Sequence, residues 1–234
     1  MPQTRRRKEC TFPVQKLAVP DWHLTKKSVP ASENPSTLRE NACRSTSAQP
    51  VVVITGGGGE LGRALAHVFS QHRAHLILLD VLPNLHQAEA LVRKLQPGSI
   101  ALRCDVSSEP DVRQAFELIR RRWDHVDVLI NNAGVQGPTR EASRISLADW
   151  QKTLAVNLTG AFLCTREAVP LMRKAGGAII QVGSVAGRIA YRRRLPYAVS
   201  KGALEALTRG LAAEFGRHNI RVTLVAPGPI AGGG

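Results

Sequence analysis

Val51-Val52-Val53-Ile54-Thr55-Gly56-Gly57-Gly58-Gly59-Glu60-Leu61-Gly62 is the stretch that decides the fold. Apolar and β-branched residues run straight into a glycine turn, and the turn opens a helical pattern over Leu61–His72. A strand with no polar alternation is buried on both faces, which requires helices on each side of its sheet. Glycines between such a strand and a helix permit a tight turn and close approach of backbone N–H groups to a pyrophosphate. The helix N-terminus adds partial positive charge at the same place. Thr55, Gly56, Gly58, Gly59, Glu60, Leu61 and Gly62 are therefore candidate dinucleotide contacts. A glycine cluster alone reads equally well as a plain turn; its position between strand and helix gives it weight.

The same alternation continues outward. Apolar β-rich runs recur at His75–Asp80, Ile100–Cys104, Val126–Asn131, Ala178–Ser184 and Ile220–Ala226. Between them, Leu85, Ala88, Leu91, Val92 and Leu95 step at helical spacing, as do Val112, Phe116, Ile119 and Trp123. Ser108 with Asp111 three residues on reads as a capping box for the latter helix. Longer helices are expected over roughly Leu147–Lys174 and Tyr197–His218. Strand–helix alternation predicts an α/β fold, a doubly wound, Rossmann-type parallel sheet of six strands. Residues 50–234 are expected to form one domain, with no internal repeat or linker. Asp80 closes the second strand. A carboxylate there can accept from both adenosine ribose hydroxyls and would repel a 2′-phosphate, so NAD(H) is favoured over NADP(H). Arg63 and Arg103 would soften that preference, and the plainer reading of Asp80 is a cap for the next turn.

Composition bounds the classes of function. With 234 residues and 43% apolar content the chain can bury a sizeable core. No apolar run approaches the length of a membrane span. The net charge of +14 raises affinity for phosphate-bearing partners. No basic stripe interleaved with aromatics accompanies it, so nucleic-acid binding is not favoured. Cys10, Cys43, Cys104 and Cys164 show no Cys-x-x-Cys spacing and no His cluster, which leaves no metal motif and fits a reducing cytoplasm. Residues 1–49 hold nine Lys/Arg against four Asp/Glu without lasting periodicity, and read as a basic disordered tail. Arg5-Arg6-Arg7-Lys8 is not followed by an apolar segment, and Glu9 and Asp21 count against a transit peptide.

Chemistry concentrates in Tyr197-Ala198-Val199-Ser200-Lys201. Tyr and Lys at i, i+4 share a helix face, and an ammonium beside a phenol favours phenolate and poises it for proton transfer. Ser184 ends a predicted strand upstream, where it would hydrogen-bond the carbonyl that Tyr197 protonates. Taken alone, a Tyr-x-x-x-Lys reads better as core packing, Ser184 as an ordinary strand-end serine and Asn157 as a buried hydrogen-bonding residue.

In combination the pieces resemble the classical short-chain dehydrogenase/reductase family over about residues 51–230. The resemblance rests on the glycine turn, Asn131-Asn132-Ala133-Gly134, Asn157 in Val-Asn-Leu-Thr-Gly, Ser184, the Tyr197/Lys201 pair and Pro227-Gly228, in that order. It implies an NAD(P)-dependent oxidoreductase interconverting a carbonyl and a secondary alcohol. Tyr197 would be the general acid and base. Lys201 would lower the Tyr197 pKa and hold the nicotinamide ribose. Ser184 would orient the substrate, and Asn157 would seat a relaying water. Asp105 and Val106 would contact adenine, and Asn131, Ala133, Gly134, Pro227, Gly228 and Ile230 would line the cofactor cleft, Asn131 also steadying the sheet. Substrates under this reading include a 3-oxoacyl thioester, a sugar, a polyol or a small alcohol.

Three departures qualify the resemblance. Glu60 stands where the family usually has glycine, and either opposes the pyrophosphate or sits in solvent at the helix N-terminus. The family's substrate loop, last helix and last strand, and the Thr that follows Pro-Gly, have no counterpart after Gly228, so a C-terminally truncated domain is expected. Its sixth strand would then be a sheet edge. Homo-oligomer contacts through the helices carrying Asn157 and Tyr197 would remain. Arg192-Arg193-Arg194 read first as a solvated loop; beside the active-site mouth they would recruit an acidic substrate or an acyl-carrier protein. Two other readings stand beside the enzyme: a weakly active or inactive dinucleotide-binding module, and a basic RNA-associated protein.

Overall fold

The computed structural model describes residues 49–95 and 97–229. The expectations for Ile230 and for residues 1–48, including Cys10 and Cys43, lie outside the described residues. Strands β1 (Val51–Thr55), β2 (His75–Asp80), β3 (Ile100–Arg103), β4 (Val128–Asn131), β5 (Gly177–Val182) and β6 (Ile220–Val225) form one sheet in the order β3-β2-β1-β4-β5-β6. Every pairing is parallel. The chain builds outward from β1 to β3, then returns to the other side of β1 with β4. That reversal opens a crevice beyond the carboxyl ends of β1 and β4, the place where open α/β sheets take ligands.

Alternation along each strand sorts side chains between two layers. Val51 and Val53 pack with Ile77, Leu79, Leu129 and Ile179 on one face. Helices α3 (Glu109–Arg122) and α5 (Gly160–Met172) cover it through Phe116, Ile119, Leu163 and Met172. Val52 and Ile54 point the other way, toward Leu76, Leu78 and Ile130. Ala66 of α1 (Glu60–Gln71) and Ala88 of α2 (Asn84–Val92) close that layer. Cys104 and Cys164 are buried thiols in the first layer. Burial pushes the Cys104 thiol up to about 12, and that of Cys164 well above its ordinary value.

Three local expectations change. The fourth strand begins at Val128 rather than Val126, because Val126 N–H bonds Leu171 O (3.3 Å) and Asp127 N–H bonds Val51 O (2.9 Å). The Ser108 cap forms by half. Its hydroxyl accepts from Asp111 N–H at 3.4 Å, but the Asp111 carboxylate turns to Asp105 N–H (3.2 Å) and Arg103 (3.0 Å) rather than back to Ser108 N–H. The Asp105 N–H bond, then the Ser108 hydroxyl, hold the Asp111 carboxyl below its ordinary range. The expected helix over 147–174 divides into α4 (Leu147–Leu154), a π-helical turn (Ala155–Thr159) and α5. The π turn carries one extra residue, a feature concentrated at functional sites. Helix α6 (Leu195–Phe215) holds the Tyr197/Lys201 pair.

Among the described residues no helix is long and apolar enough to cross a membrane. Phe116 of α3 is the largest fully buried side chain of the first layer. Phe116→Ala is expected to cost about 3–5 kcal/mol, read as a lower urea midpoint at unchanged slope. A loss under 1 kcal/mol, on the order of a surface substitution, would contradict the packing described.

Candidate active site

Thr55 ties the crevice together. Its hydroxyl accepts from the N–H groups of Asn132 and Ala133, both at 3.0 Å, and donates to Ile130 O at 3.4 Å. The Asn132 amide donates in return to Thr55 O (2.9 Å) and Gly56 O (3.1 Å). The glycine turn is thus joined to the segment that leaves β4. Gly56 takes φ +62°, a left-handed conformation that other residues adopt at a cost. At Gly58 any Cβ would fall 2.0 Å from Asn84 O, so α2 approaches the turn as closely as backbone allows. Gly59 caps α1 without a side chain.

Asp80 is buried, and each of its oxygens accepts one backbone N–H, Gly58 and Val81, both at 2.8 Å. The plain capping role is therefore filled. A carboxylate has about four acceptor positions, so capacity remains for ligand hydroxyls. Arg63 bonds Gly58 O at 2.8 Å and also the Gln87 side chain. Arg103 is held by Asp111 and stands outside the cleft lining. Glu60 is the exposed first residue of α1, so its carboxylate sits in water at the end of the helix that favours negative charge.

A cleft of about 820 Å³ runs over this turn. Gly56, Gly59, Glu60, Leu61, Gly62, Asp80, Asp105, Val106, Ala133 and Gly134 line it, as the sequence suggests. Thr55, Gly58 and Asn131 do not. For Thr55 and Gly58 the contribution is the bracing already described. Asn131 corrects an expectation: it shares a strand face with Leu129, and so its amide donates to Ala161 O (3.2 Å) and Thr165 Oγ1 (3.1 Å) of α5. Its neighbour Asn132 faces the cleft instead. Gln87, Gln136 and Lys152 also line the cleft and were not foreseen. No local motif marks them, because each comes from a different loop or helix.

A second cavity of about 180 Å³ shares Leu61, Asn132, Gly134, Val135 and Gln136 with the first. Val182, Gly183, Ser184, Tyr197, Lys201, Pro227 and Gly228 complete its lining. The fifth strand ends at Val182 rather than Ser184, and Ser184 Oγ caps the 3-10 turn that follows (Val185–Gly187) by accepting from Ala186 N–H at 3.1 Å. Val185 N–H bonds Pro227 O at 3.0 Å, holding the segment after β6 against it. Lys201 is 5% exposed; its Nζ donates to Val182 O at 2.7 Å and lies 5.8 Å from the Tyr197 ring centroid. Burial lowers the Lys201 pKa to about 8.

Asn157 lies in the π turn and is 1% exposed. Its carbonyl accepts from Val135 N–H (2.7 Å), and its amide donates to Val135 O (2.9 Å) and Ser200 Oγ (3.0 Å). Ser200, unmarked in the sequence reading, links α6 to that turn. A Cβ on Gly134 would meet Asn157 Oδ1 at 3.3 Å and Lys201 Nζ at 3.4 Å, so both groups flank the same glycine. Among the described residues no cluster of metal-ligating side chains occurs.

The cleft volume, the side-chain-free turn at a helix N-terminus and the spare acceptor capacity of Asp80 fit a dinucleotide. A family model described as short chain dehydrogenase matches residues 50–233. L-fucose dehydrogenase of Bos taurus is 33% identical over 180 residues, which cover 77% of this chain and 66% of that protein. Momilactone A synthase of Oryza sativa subsp. japonica is 38% identical over 184 residues, again 77% and 66%. The chain thus spans just under two thirds of the length of these relatives. The crystal structure of an NAD+-bound xylitol dehydrogenase superposes with a TM-score of 0.73 at 34% identity, covering 79% of this chain and 72% of that one.

The buried ammonium makes a pH-dependent contribution to stability. Below pH 8 Lys201 is charged in both states, and folding bears its desolvation. Between about 8 and 10.5 the unfolded chain binds the proton that the folded chain has released, so stability rises with pH. Relative to Lys201→Met, the wild-type protein is expected to gain about 3 kcal/mol across that window. Urea unfolding of both proteins at pH 7 and 10.5 measures it, and a difference that stays flat with pH would refute the assignment.

Proposed function

The chain belongs to the short chain dehydrogenase family, and on that premise we propose that it is a nicotinamide-dinucleotide-dependent oxidoreductase interconverting a carbonyl and a secondary alcohol. The carrying observation is one of geometry. Tyr197, Lys201 and Ser184 line a cavity that shares five residues with the cleft over the glycine turn and Asp80. The bound nicotinamide supplies or accepts the hydride. Every other task falls to the chain's own side chains.

In the reducing direction, Tyr197 Oη gives its proton to the substrate oxygen; in oxidation it takes the proton back. The ammonium of Lys201, 5.8 Å from the Tyr197 ring centroid, keeps a positive charge beside the site of proton transfer. Ser184, held by Ala186 N–H, offers its own O–H to the same substrate oxygen. Asn157 holds the Val135 backbone and, through Ser200, the helix that carries Tyr197 and Lys201, so it sets the distance between the cavity walls. Asp80 receives the adenosine ribose hydroxyls on its remaining lone pairs and disfavours a 2′-phosphate, which makes NAD(H) the preferred cofactor. The NAD+ in the superposable xylitol dehydrogenase supports that choice. Asp105 and Val106 line the same cleft, which supports their contact with the adenine.

Tyr197→Phe removes the proton donor while leaving the ring. Turnover of a carbonyl panel with NADH is expected to fall by about 10²–10⁴-fold, while NADH titrated by fluorescence still binds. NADH is expected to bind at least about tenfold more tightly than NADPH, the equivalent of about 1.4 kcal/mol. Undiminished turnover in the variant, or tighter NADPH binding, would overturn the respective assignment.

A further inference from the structure

We infer that Arg140, Arg144 and Arg193 form a recognition site for an anionic oxygen-bearing group of the substrate, a carboxylate or a phosphate, at the rim of the catalytic cavity. The inference rests on the oxidoreductase reading above and adds a substrate class to it. Two cavities, of about 380 and 680 Å³, lie along these arginines. Thr139, Arg140, Glu141, Arg144 and Arg193 line the first, and Glu141, Ala142, Arg192 and Arg193 the second. Four guanidiniums therefore face a single carboxylate.

Those guanidiniums are available. Among the described residues Arg144, Arg192 and Arg193 join no ion pair, and Arg140 reaches Asp149 only at 3.7 Å. Helix α3 shows the contrast: Arg113, Arg120 and Arg121 each meet a carboxylate within 2.9 Å. Unpaired guanidiniums around a concavity repel one another until an anion neutralises them, and their planar donors match the two oxygens of a carboxylate or phosphate.

The rim is also positioned. Arg140 N–H bonds Arg193 O at 3.0 Å, which joins the loop after β4 to the turn before α6. Arg193 holds φ +65° in that turn. The next residue, Arg194, donates to Gln136 Oε1 at 2.6 Å, and Gln136 lines both the dinucleotide cleft and the catalytic cavity. The arginine run thus divides its work, with Arg194 fastening the turn to the cavity wall and Arg193 facing the rim. Arg193 stands four positions before Tyr197, so their Cα atoms lie at most about 14 Å apart. One substrate can span that distance with its carbonyl at Tyr197 and its anion at the rim.

The test compares matched ketones with NADH as the reductant. One arm uses 4-oxopentanoate, 6-oxoheptanoate and 8-oxononanoate against their methyl esters; the other uses dihydroxyacetone phosphate against dihydroxyacetone. At the best length, kcat/KM for the anion is expected to exceed that for its neutral partner at least tenfold, with the ratio falling as salt is raised. The arm that shows the ratio identifies carboxylate or phosphate. In the R144Q/R193Q variant the ratio is expected to collapse to within about twofold of unity. A wild-type ratio near one in both arms, with the neutral ketones turned over, overturns the anion site and leaves the oxidoreductase reading intact. If no ketone turns over, calorimetric titration of the NADH-loaded protein with the same pairs decides. Anion-selective binding lost in R144Q/R193Q supports the site while the catalytic reading falls, and absence of selectivity overturns the site.

Discussion

The hydroxyl of Thr55 is the joint on which the site depends. It accepts two backbone N–H groups from the segment leaving β4 while standing at the end of β1. Those strands are neighbours in the sheet, yet the chain diverges from them in opposite directions, and diverging backbone leaves donors without ladder partners. A buried donor left unpaired costs about 1–3 kcal/mol. Thr55 and the Asn132 amide satisfy those groups from within the crevice, so the two walls are fixed relative to one another before any ligand arrives. A valine at position 55 would preserve the strand and lose the joint.

A second polar knot sets the depth of the site. Asn157, Ser200 and Lys201 are buried beneath apolar layers, and each is satisfied by a named partner: the Val135 backbone, the Asn157 amide and Val182 O. Satisfied buried networks of this kind define a single arrangement rather than a set of similar ones. The network has a cost, visible in the lowered Lys201 pKa. Folding retains an ammonium in a place that disfavours charge, and the position lies against the Tyr197 ring. The π turn belongs to the same knot, since it carries Asn157 into contact with the loop after β4.

Charge is distributed unevenly over these parts. The cleft over the glycine turn combines backbone N–H groups with three carboxylates, Glu60, Asp80 and Asp105, and two cations, Arg63 and Lys152. Around Arg140, Arg144, Arg192 and Arg193 the balance differs, with four guanidiniums to the one carboxylate of Glu141. The high net charge of the chain is expressed locally as well as globally.

Much of this was legible from residue order alone. Near-continuous apolar strands could only be buried in a two-layered parallel sheet, and glycines between strand and helix located the crevice. The i, i+4 spacing of Tyr197 and Lys201 placed both on one helix face, because these relations follow from backbone period within a few residues. Tertiary structure decided what depends on residues far apart in the chain. It turned Asn131 into α5 and gave the cleft to Asn132, since the strand face is set by the layer that packs on it. It broke the long helix at Asn157, where a buried amide gains more from a distant backbone than an unbroken helix would gain from one regular turn. It also brought Arg140 and Arg144 beside Arg193, through a hydrogen bond between loops that no local pattern encodes.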